Sequence, residues 1–168
     1  MTYKSIPDLT DFLPEPLAKA VLNQYRLHLN GTHGLRHWIR VWKNGEELCR
    51  STGANVEVVR LFAFLHDVCR KDEDIDLLHG VRAAKLIKTV LQPEFLHLPR
   101  EEEKLLEYAV QGHTFGWKEA DPTVMTCWDA DRLDLGRVGI LPHPDRLCTE
   151  AARDPAMIRR AYAASKEG

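Results

Sequence analysis

The chain has 168 residues, and we expect residues 1–168 to form one domain with a single hydrophobic core and no linker. Hydrophobic residues make up 44% and charged residues 29%, a composition that excludes a disordered or fibrous chain. The formal net charge of -2 creates no positive field, so a nucleic acid duplex is not expected as a partner and a small ligand is.

The first half of the chain shows apolar residues at helical spacing. A first helix is predicted over residues 17–25, and a second opens at Thr32 and continues to Gly53. Asn55 is placed to cap a third helix. Residues 58–65 of that helix are apolar almost all round, so it must lie at the centre of the fold.

The second half continues the same pattern. A fourth helix is predicted over residues 81–91, closed near Pro93, followed by helices over 101–110, 123–135 and 156–162. Because no stretch alternates as a strand does, the expected class is all-α, a compact bundle of about six to seven helices. No apolar run approaches the ~20 residues of a membrane span and no leader is recognised, so we expect a cytoplasmic protein with no membrane partner.

Two adjacent polar residues, His66 and Asp67, stand at the end of the most apolar predicted helix. An ionised carboxylate is costly to bury there without a partner. A bound cation would provide that partner if further ligands converge on the pair. The alternative is a helix-terminal carboxylate hydrogen-bonded to the neighbouring imidazole.

Further ligands are available on the second and sixth helices. His37 lies at the edge of the core, and His33, one turn earlier, is the alternative nearer the frayed helix start. An acidic run on the sixth helix contains Asp129 and Asp131, which face different directions because they are two residues apart. One of these carboxylates is therefore expected to bind the cation and the other to support it.

With His37, His66–Asp67 and Asp131 in this order, the chain resembles the HD superfamily of metal-dependent phosphohydrolases, whose pattern is H, then HD, then D, on a helical bundle. The resemblance spans residues 31–135. In that family the last ligand lies in an Ala-Asp-x-Leu context, which here is residues 130–133, so the resemblance favours Asp131 over Asp129. It implies hydrolysis of a small-molecule phosphate ester, with a nucleotide as the first candidate substrate and sugar phosphates and phosphonates also open.

Two more histidines fall where binuclear members of the superfamily, such as the HD-GYP phosphodiesterases, carry ligands of a second metal. They are His79 and His113. The gap between Asp67 and His79 is short, and the Gly-Tyr-Pro signature is missing, so a cyclic dinucleotide substrate is not implied. Both histidines are interpreted either as ligands of a second metal or as residues that contact substrate or cap a helix.

The chemistry suits this mixture of ligands. Imidazole nitrogen and carboxylate oxygen favour six-coordinate Mn, Fe, Co, Ni or Mg, as one ion or two. Such an ion lowers the pKa of a bound water and neutralises phosphoryl charge, which gives Asp67 a catalytic role. Arg70 is the predicted anion clamp, and Glu73 is predicted to orient a water or Arg70.

Three other functions remain open at this stage. Some HD proteins with six ligands carry out oxygen chemistry at a mixed-valent di-iron centre. A non-catalytic nucleotide sensor on the same fold is the next alternative, and a plain helical interaction module without metal is the last. We rank the phosphohydrolase first, and no oligomeric state follows from the sequence.

Overall fold

The computed structural model describes residues 7–167, and every regular element in that range is helical. The α-helices are α1 (Glu15–Gln24), α2 (Leu35–Thr52), α3 (Val56–Leu65), α4 (His79–Leu86), α5 (Arg100–Gly112), α6 (Pro122–Arg132), α7 (Glu150–Arg153) and α8 (Pro155–Lys166). Short 3-10 turns cover Leu9–Asp11, Leu133–Val138 and Pro144–Arg146, and a π-helical segment covers Ile87–Leu96. The prediction of an all-α fold is confirmed.

Local chemistry explains where α2 and α3 meet. α2 ends at Gly53, whose φ of 68° lies in the left-handed region that glycine adopts without steric cost. The side chain of Asn55 then accepts a hydrogen bond of 3.1 Å from the backbone N–H of Val58, as predicted for the cap of α3. The tight connection lays α3 directly against α2.

The predicted end of the fourth helix near Pro93 is wrong. After α4 the chain widens into the π-helical segment, which contains Pro93 and ends before His97 at a φ of 50°. Proline lacks an N–H donor and its ring crowds the carbonyl four residues earlier, so an ordinary α-turn cannot accommodate it. The wider turn of a π-helix gives the chain another way to continue past the proline. Farther along, α7 is a short helix that the periodicity did not reveal.

The main core is built around α3, which packs against α2, α5 and α6. Seven of its side chains are buried, and each large aliphatic or aromatic one contributes roughly 1.5–3 kcal/mol through burial. Trp38 from α2 and Trp128 from α6 are fully buried against this helix bundle. The packing brings the C-terminal ends of α3, α5 and α6 to the region where α2 and α4 begin.

A second, smaller apolar cluster holds the C-terminal helices in place. Its members come from α2, the 133–138 turn, the end of the 144–146 turn and the last two helices: Leu48, Leu133, Leu147, Ala152, Met157, Ile158 and Ala161. At Gly136 a Cβ atom would lie 1.9 Å from the hydroxyl oxygen of Ser165, so only glycine permits this close approach. The cluster therefore fixes the turn over residues 133–138 against α8. No helix in residues 7–167 is both long enough and apolar enough to span a bilayer.

Candidate metal centre

All six predicted ligands lie together where five helices meet. They are His37 in the first turn of α2, His66 and Asp67 directly after α3, His79 at the start of α4, His113 directly after α5 and Asp131 near the end of α6. Three helices thus present ligands from their C-terminal ends. The partial negative charge of a helix C-terminus favours a bound cation.

The first half of the centre consists of His37, His66, Asp131 and one oxygen of Asp67. The Nε2 atoms of His37 and His66 are 3.1 Å apart, and Asp67 Oδ2 is 3.5 Å from each of them. Asp131 Oδ1 lies 3.4 Å from His37 Nε2 and 3.8 Å from His66 Nε2. The ligand atoms of His37, His66 and Asp67 all lie within 4.8 Å of one another, close enough to hold one metal ion, and Asp131 faces both histidines.

The second half consists of His79, His113 and the other oxygen of Asp67. The Nε2 atoms of the two histidines are 2.7 Å apart, and Asp67 Oδ1 lies 2.8 Å from the first and 3.7 Å from the second. Ligand atoms of His66, His113 and Asp131 also lie within 4.8 Å of one another. The two halves are therefore adjacent, and Asp67 faces both.

The hydrogen bonds made by the outer ring nitrogens define the tautomer of each histidine. Each Nδ1 faces an oxygen outside the centre: His37 faces Asp134 Oδ2 at 2.7 Å, His66 faces the carbonyls of Phe62 and Ala63 at 3.1 Å, His79 faces the carbonyl of Asp76, and His113 faces the carbonyl of Val110 at 2.7 Å. Carbonyl and ionised carboxylate oxygens only accept hydrogen bonds, so Nδ1 carries the proton in each ring. All four Nε2 lone pairs consequently point into the centre.

This arrangement fits a bound cation. Bare nitrogen atoms that face each other, and face carboxylate oxygens, repel unless a positive charge lies between them. Asp67 Oδ2 is buried and has no hydrogen-bond partner within residues 7–167. Burial also lowers the pKa of His66 to about 3, so this ring is neutral at neutral pH and supplies no positive charge, whereas the pKa of His37, which burial lowers, is raised overall by hydrogen bonds to Asp134 and Asp67. Divalent metal with nitrogen and oxygen ligands satisfies every one of these atoms.

Both ligand carboxylates are ionised. Burial by itself raises the pKa of Asp67 and of Asp131, but the facing imidazoles, His66 foremost, lower it by more. For Asp131 the guanidinium of Arg137 adds to the lowering. The net pKa of each carboxyl lies below its ordinary range, so each presents a negative charge to a metal ion.

Asp134 supports the first half from behind, a role that the sequence reasoning missed. Its Oδ2 holds His37 Nδ1 at 2.7 Å, and its Oδ1 accepts from Arg40 Nε at 2.6 Å. A carboxylate in this position orients the ring and increases its basicity towards a metal. The signal was present, because Asp134 follows Asp131 by three residues, the spacing that places side chains on one helix face.

Asp129, the other carboxylate of the acidic run, supports a different part of the structure. Its oxygens accept hydrogen bonds from the backbone N–H of Cys148 at 2.7 Å and from the backbone N–H and hydroxyl of Thr149 at 2.8 Å. It therefore anchors the chain where α7 begins. Asp131 is the member of the pair that lies at the centre.

Two arginines add positive charge beside the ligands. Arg70 is buried, with Nη1 3.9 Å from Asp67 Oδ1, while its Nε and Nη2 donate to the carbonyls of Asp72 and Asp74 at 3.2 and 2.7 Å. Arg70 thus ties down the loop after the His-Asp pair as well as facing the centre. Only one side of its guanidinium remains directed at the ligands.

Arg137, on the 133–138 turn, is the second arginine and was not singled out from the sequence. Its Nη2 lies 3.9 Å from Asp131 Oδ1, and its Nη1 donates to the carbonyl of Asp134 at 3.1 Å. No motif in the sequence marks this position. The packing of the turn against α8 brings the guanidinium to the first half.

Glu73 lies one layer away from the ligands and pairs with His33. Its Oε2 is 2.6 Å from His33 Nδ1 and accepts a 3.2 Å hydrogen bond from the backbone N–H of the same residue. A Cβ atom at Gly31 would come within 2.0 Å of Glu73 Oε1. The carboxylate is therefore held by the loop before α2 rather than by Arg70.

A helical bundle with six converging His and Asp side chains defines a protein able to bind divalent metal. A family model described as "HD domain" matches residues 34–136, which is more than half of the chain and contains all six of these residues. The chain belongs to the HD domain family, whose members bind divalent metals and are mostly metal-dependent hydrolases. No curated protein and no solved structure gives a significant match to the chain.

Proposed function

We propose that the protein hydrolyses a phosphate ester of a small molecule, with a nucleotide as the first substrate class, at a centre holding one or two divalent metal ions. The observation that carries the proposal is the position of Asp67. Its two oxygens face two separate pairs of imidazole nitrogens, at 3.5 Å in the first half and at 2.8 and 3.7 Å in the second. A carboxylate between two such groups is suited to bridge two ions.

The donor set favours Mn, Fe, Co, Ni or Mg over a thiolate-bound zinc ion. His37, His66 and Asp131 with Oδ2 of Asp67 would hold the first ion. The remaining ligands, His79 and His113 with Oδ1 of the same aspartate, would hold the second, and we adopt this reading over a substrate-contacting or capping role. When bound, such ions acidify a water and offset the charge of phosphoryl oxygens.

The charged residues beside the ligands suit a phosphoryl group. Arg137 lies beside Asp131 at the first half, and Arg70 lies beside Asp67. Guanidinium groups bind phosphate oxygens through paired N–H donors. We assign Arg137 to the substrate phosphoryl group, whereas Arg70, two of whose nitrogens hold backbone carbonyls, mainly stabilises the loop and contributes charge.

Exposed apolar residues flank the second half, and they support a substrate with an apolar or aromatic portion such as a nucleobase. Leu77 and Leu78 directly precede His79 and are more than half exposed. Phe115 follows His113 by two residues and is also exposed. The hydroxyl of Thr114 donates to the Leu77 carbonyl at 3.2 Å, which joins the two loops. Clustered exposed apolar groups of this kind commonly mark a binding surface.

A di-iron oxygenase is the second candidate function, and the observation that supports it is the set of six candidate ligand residues. The two chemistries differ in what they consume. Oxygen uptake by the iron-loaded protein, without phosphate release from any ester, would favour the oxygenase. Binding of a nucleotide without turnover in any metal would favour a sensor.

The test begins with elemental analysis of the protein purified without added metal. Phosphate release is then measured from a panel of nucleotides and sugar phosphates in Mn, Co, Ni and Mg. We expect bound metal and turnover in the unaltered chain, and loss of both in His66→Ala with the helical circular-dichroism spectrum retained. His143→Gln, at a side chain that is 69% exposed, is the matched control and should behave as the unaltered chain does. Full activity in His66→Ala would refute the proposal.

A further inference from the structure

A buried tyrosine between α1 and α2 carries a hydroxyl group without a partner. Tyr25 directly follows α1, where its backbone N–H donates to the carbonyl of Val21 at 3.0 Å, and only 7% of the residue is exposed. Its hydroxyl oxygen is buried and makes no hydrogen bond within residues 7–167. A buried hydroxyl in this state lowers the stability of the fold, so its presence requires an explanation.

The other buried side-chain polar atoms without a partner in this range belong to the metal centre or adjoin it. They are Asp67 Oδ2, Arg137 Nε and Trp38 Nε1, the last of them in the residue that follows His37. Tyr25 and Trp38 are in edge-to-face contact, with ring centroids 4.9 Å apart. The unmet side-chain groups of the described chain are thus concentrated in one region, and a site for a polar ligand presents such groups.

The charges that act on the hydroxyl are those of the His-Asp pair and of the loop that follows it. Burial raises the pKa of Tyr25 above its ordinary value, the charges of Glu73 and Asp67 raise it further, and the charge of Arg70 lowers it. The phenol therefore keeps its proton at neutral pH and remains a donor. Because it donates to none of these residues, the hydroxyl is available to an acceptor that binds at the centre.

The packing of the ring holds this donor in place. Tyr25 is a member of the main apolar core, and Trp38, which its ring contacts, is fully buried. The oxygen of a phenol lies in the plane of its ring, so a fixed ring also fixes the oxygen. A donor held in this way loses little conformational entropy when it binds a ligand.

We propose that the hydroxyl of Tyr25 donates a hydrogen bond to a non-bridging oxygen of the substrate phosphoryl group, an inference that rests on the proposed phosphohydrolase function. Arg137 reaches the same group from the 133–138 turn, whereas Tyr25 reaches it from the end of α1. A phosphoryl group offers several acceptor oxygens, and hydrogen bonds to a charged acceptor are stronger than those between neutral groups. Tyr25 is a substrate-binding residue in this scheme.

The experiment removes the hydroxyl and keeps the ring. Manganese-loaded Tyr25→Phe should bind inorganic phosphate about tenfold or more weakly than the unaltered chain, because a hydrogen bond to a charged group is lost. The dissociation constant is measured by isothermal titration calorimetry. The melting temperature of metal-free Tyr25→Phe should equal or exceed that of the unaltered chain, since the substitution removes a buried hydroxyl that has no partner. A hydroxyl that served the fold would instead lower the melting temperature when it is removed.

The matched control is Tyr108→Phe, which removes a phenol hydroxyl from a residue on α5 that is 45% exposed. Its phosphate affinity should equal that of the unaltered chain. Unchanged phosphate affinity in Tyr25→Phe would overturn the inference and indicate that the hydroxyl contacts only a resident water. A lower melting temperature or a lower manganese content in Tyr25→Phe would also overturn it, because the hydroxyl would then serve the fold or the metal. If the unaltered, manganese-loaded chain neither bound phosphate nor released it from any ester, the proposed function itself would fail.

Discussion

The two halves of the centre are supported in different ways. In the first half, His37 is backed by the buried carboxylate of Asp134, which is itself held by Arg40. In the second half, the Nδ1 atoms of His79 and His113 each face one backbone carbonyl, as that of His66 faces two, and Arg70 Nη1 also lies 3.4 Å from His79 Nδ1. A ring braced by a charged network is better oriented and more basic than one braced by a carbonyl. The first half is therefore the more preorganised of the two.

The surroundings of the halves differ as well. The first half lies between α2, α3 and α6, and the turn carrying Asp134 is packed against α8 by the second apolar cluster. The second half borders the loop over residues 71–78, which carries the exposed leucines at positions 77 and 78. We infer that the first half retains its metal more firmly, and that the second is where substrates are distinguished.

The strongest test of the comparison removes the residue that both halves share. Asp67→Ala should abolish bound metal and phosphate release together, because each half loses a charged ligand. Metal content and activity are the measurements, with Asp145→Ala as the control at a side chain that is 87% exposed. If Asp67→Ala kept a full complement of metal, the bridging role of Asp67 would be excluded.

A pair of histidine substitutions separates the halves. His113→Ala should leave one tightly held ion and lower activity strongly, whereas His37→Ala should lose the ion of the first half and with it the stable binding of metal. Titration with a chelator, followed by elemental analysis, would show one phase in the first variant and two in the unaltered chain. Identical stoichiometry in both variants would show that the halves are equivalent.

Removing the support behind the first half should have an intermediate effect. Asp134→Asn is expected to weaken metal binding or activity by about 10- to 100-fold, the usual range for a residue that orients a metal-bound histidine. Asp129→Asn is the matched control. Asp129 is a buried carboxylate on the same stretch of chain, but it accepts hydrogen bonds from residues 148–149 and not from a ligand histidine. Metal affinity should be unchanged in the control, and an equal loss in both variants would point to a general loss of structure.

The smallest effect is expected at the exposed apolar residues that flank the second half. Leu78→Ser should raise KM for a nucleotide by about tenfold or less, the lower end of the roughly 1–3 kcal/mol that one methylene contributes in an apolar pocket, because Leu78 is 59% exposed and a substrate would cover it only in part. Val56→Ser, at the start of α3 and 52% exposed compared with 59% for Leu78, controls for the loss of a surface apolar group. An unchanged KM in Leu78→Ser would show that Leu78 takes no part in substrate recognition.

Much of the fold could be predicted because helical periodicity is a local property. The helices α2, α3 and α5 can be predicted from the spacing of their apolar residues and from caps such as Asn55 and Gly53. The π-helical passage through Pro93 could not be read in the same way. Whether a proline ends a helix or is absorbed in a wider turn depends on what the surrounding chain packs against.

Part of the candidate site could likewise be predicted from the sequence, and part could not. The six residues were found because their types and order match a family pattern, and the structure brings their side chains together. Asp134, Arg137 and the pair of His33 with Glu73 were missed or assigned differently, because their partners lie elsewhere along the chain. Asp134, for example, meets His37 across 97 positions of sequence.

The sequence by itself determined the helical class, the family, and the residue types available to bind a metal, since these depend on composition, spacing and order. Only the tertiary structure decided which nitrogen of each histidine faces inward, which carboxylate faces the centre and which one supports a ligand histidine, and how Asp67 divides its oxygens between two groups. Those outcomes depend on distances of a few ångströms between helices. Such distances are set by the packing of the whole core, and no local pattern records them.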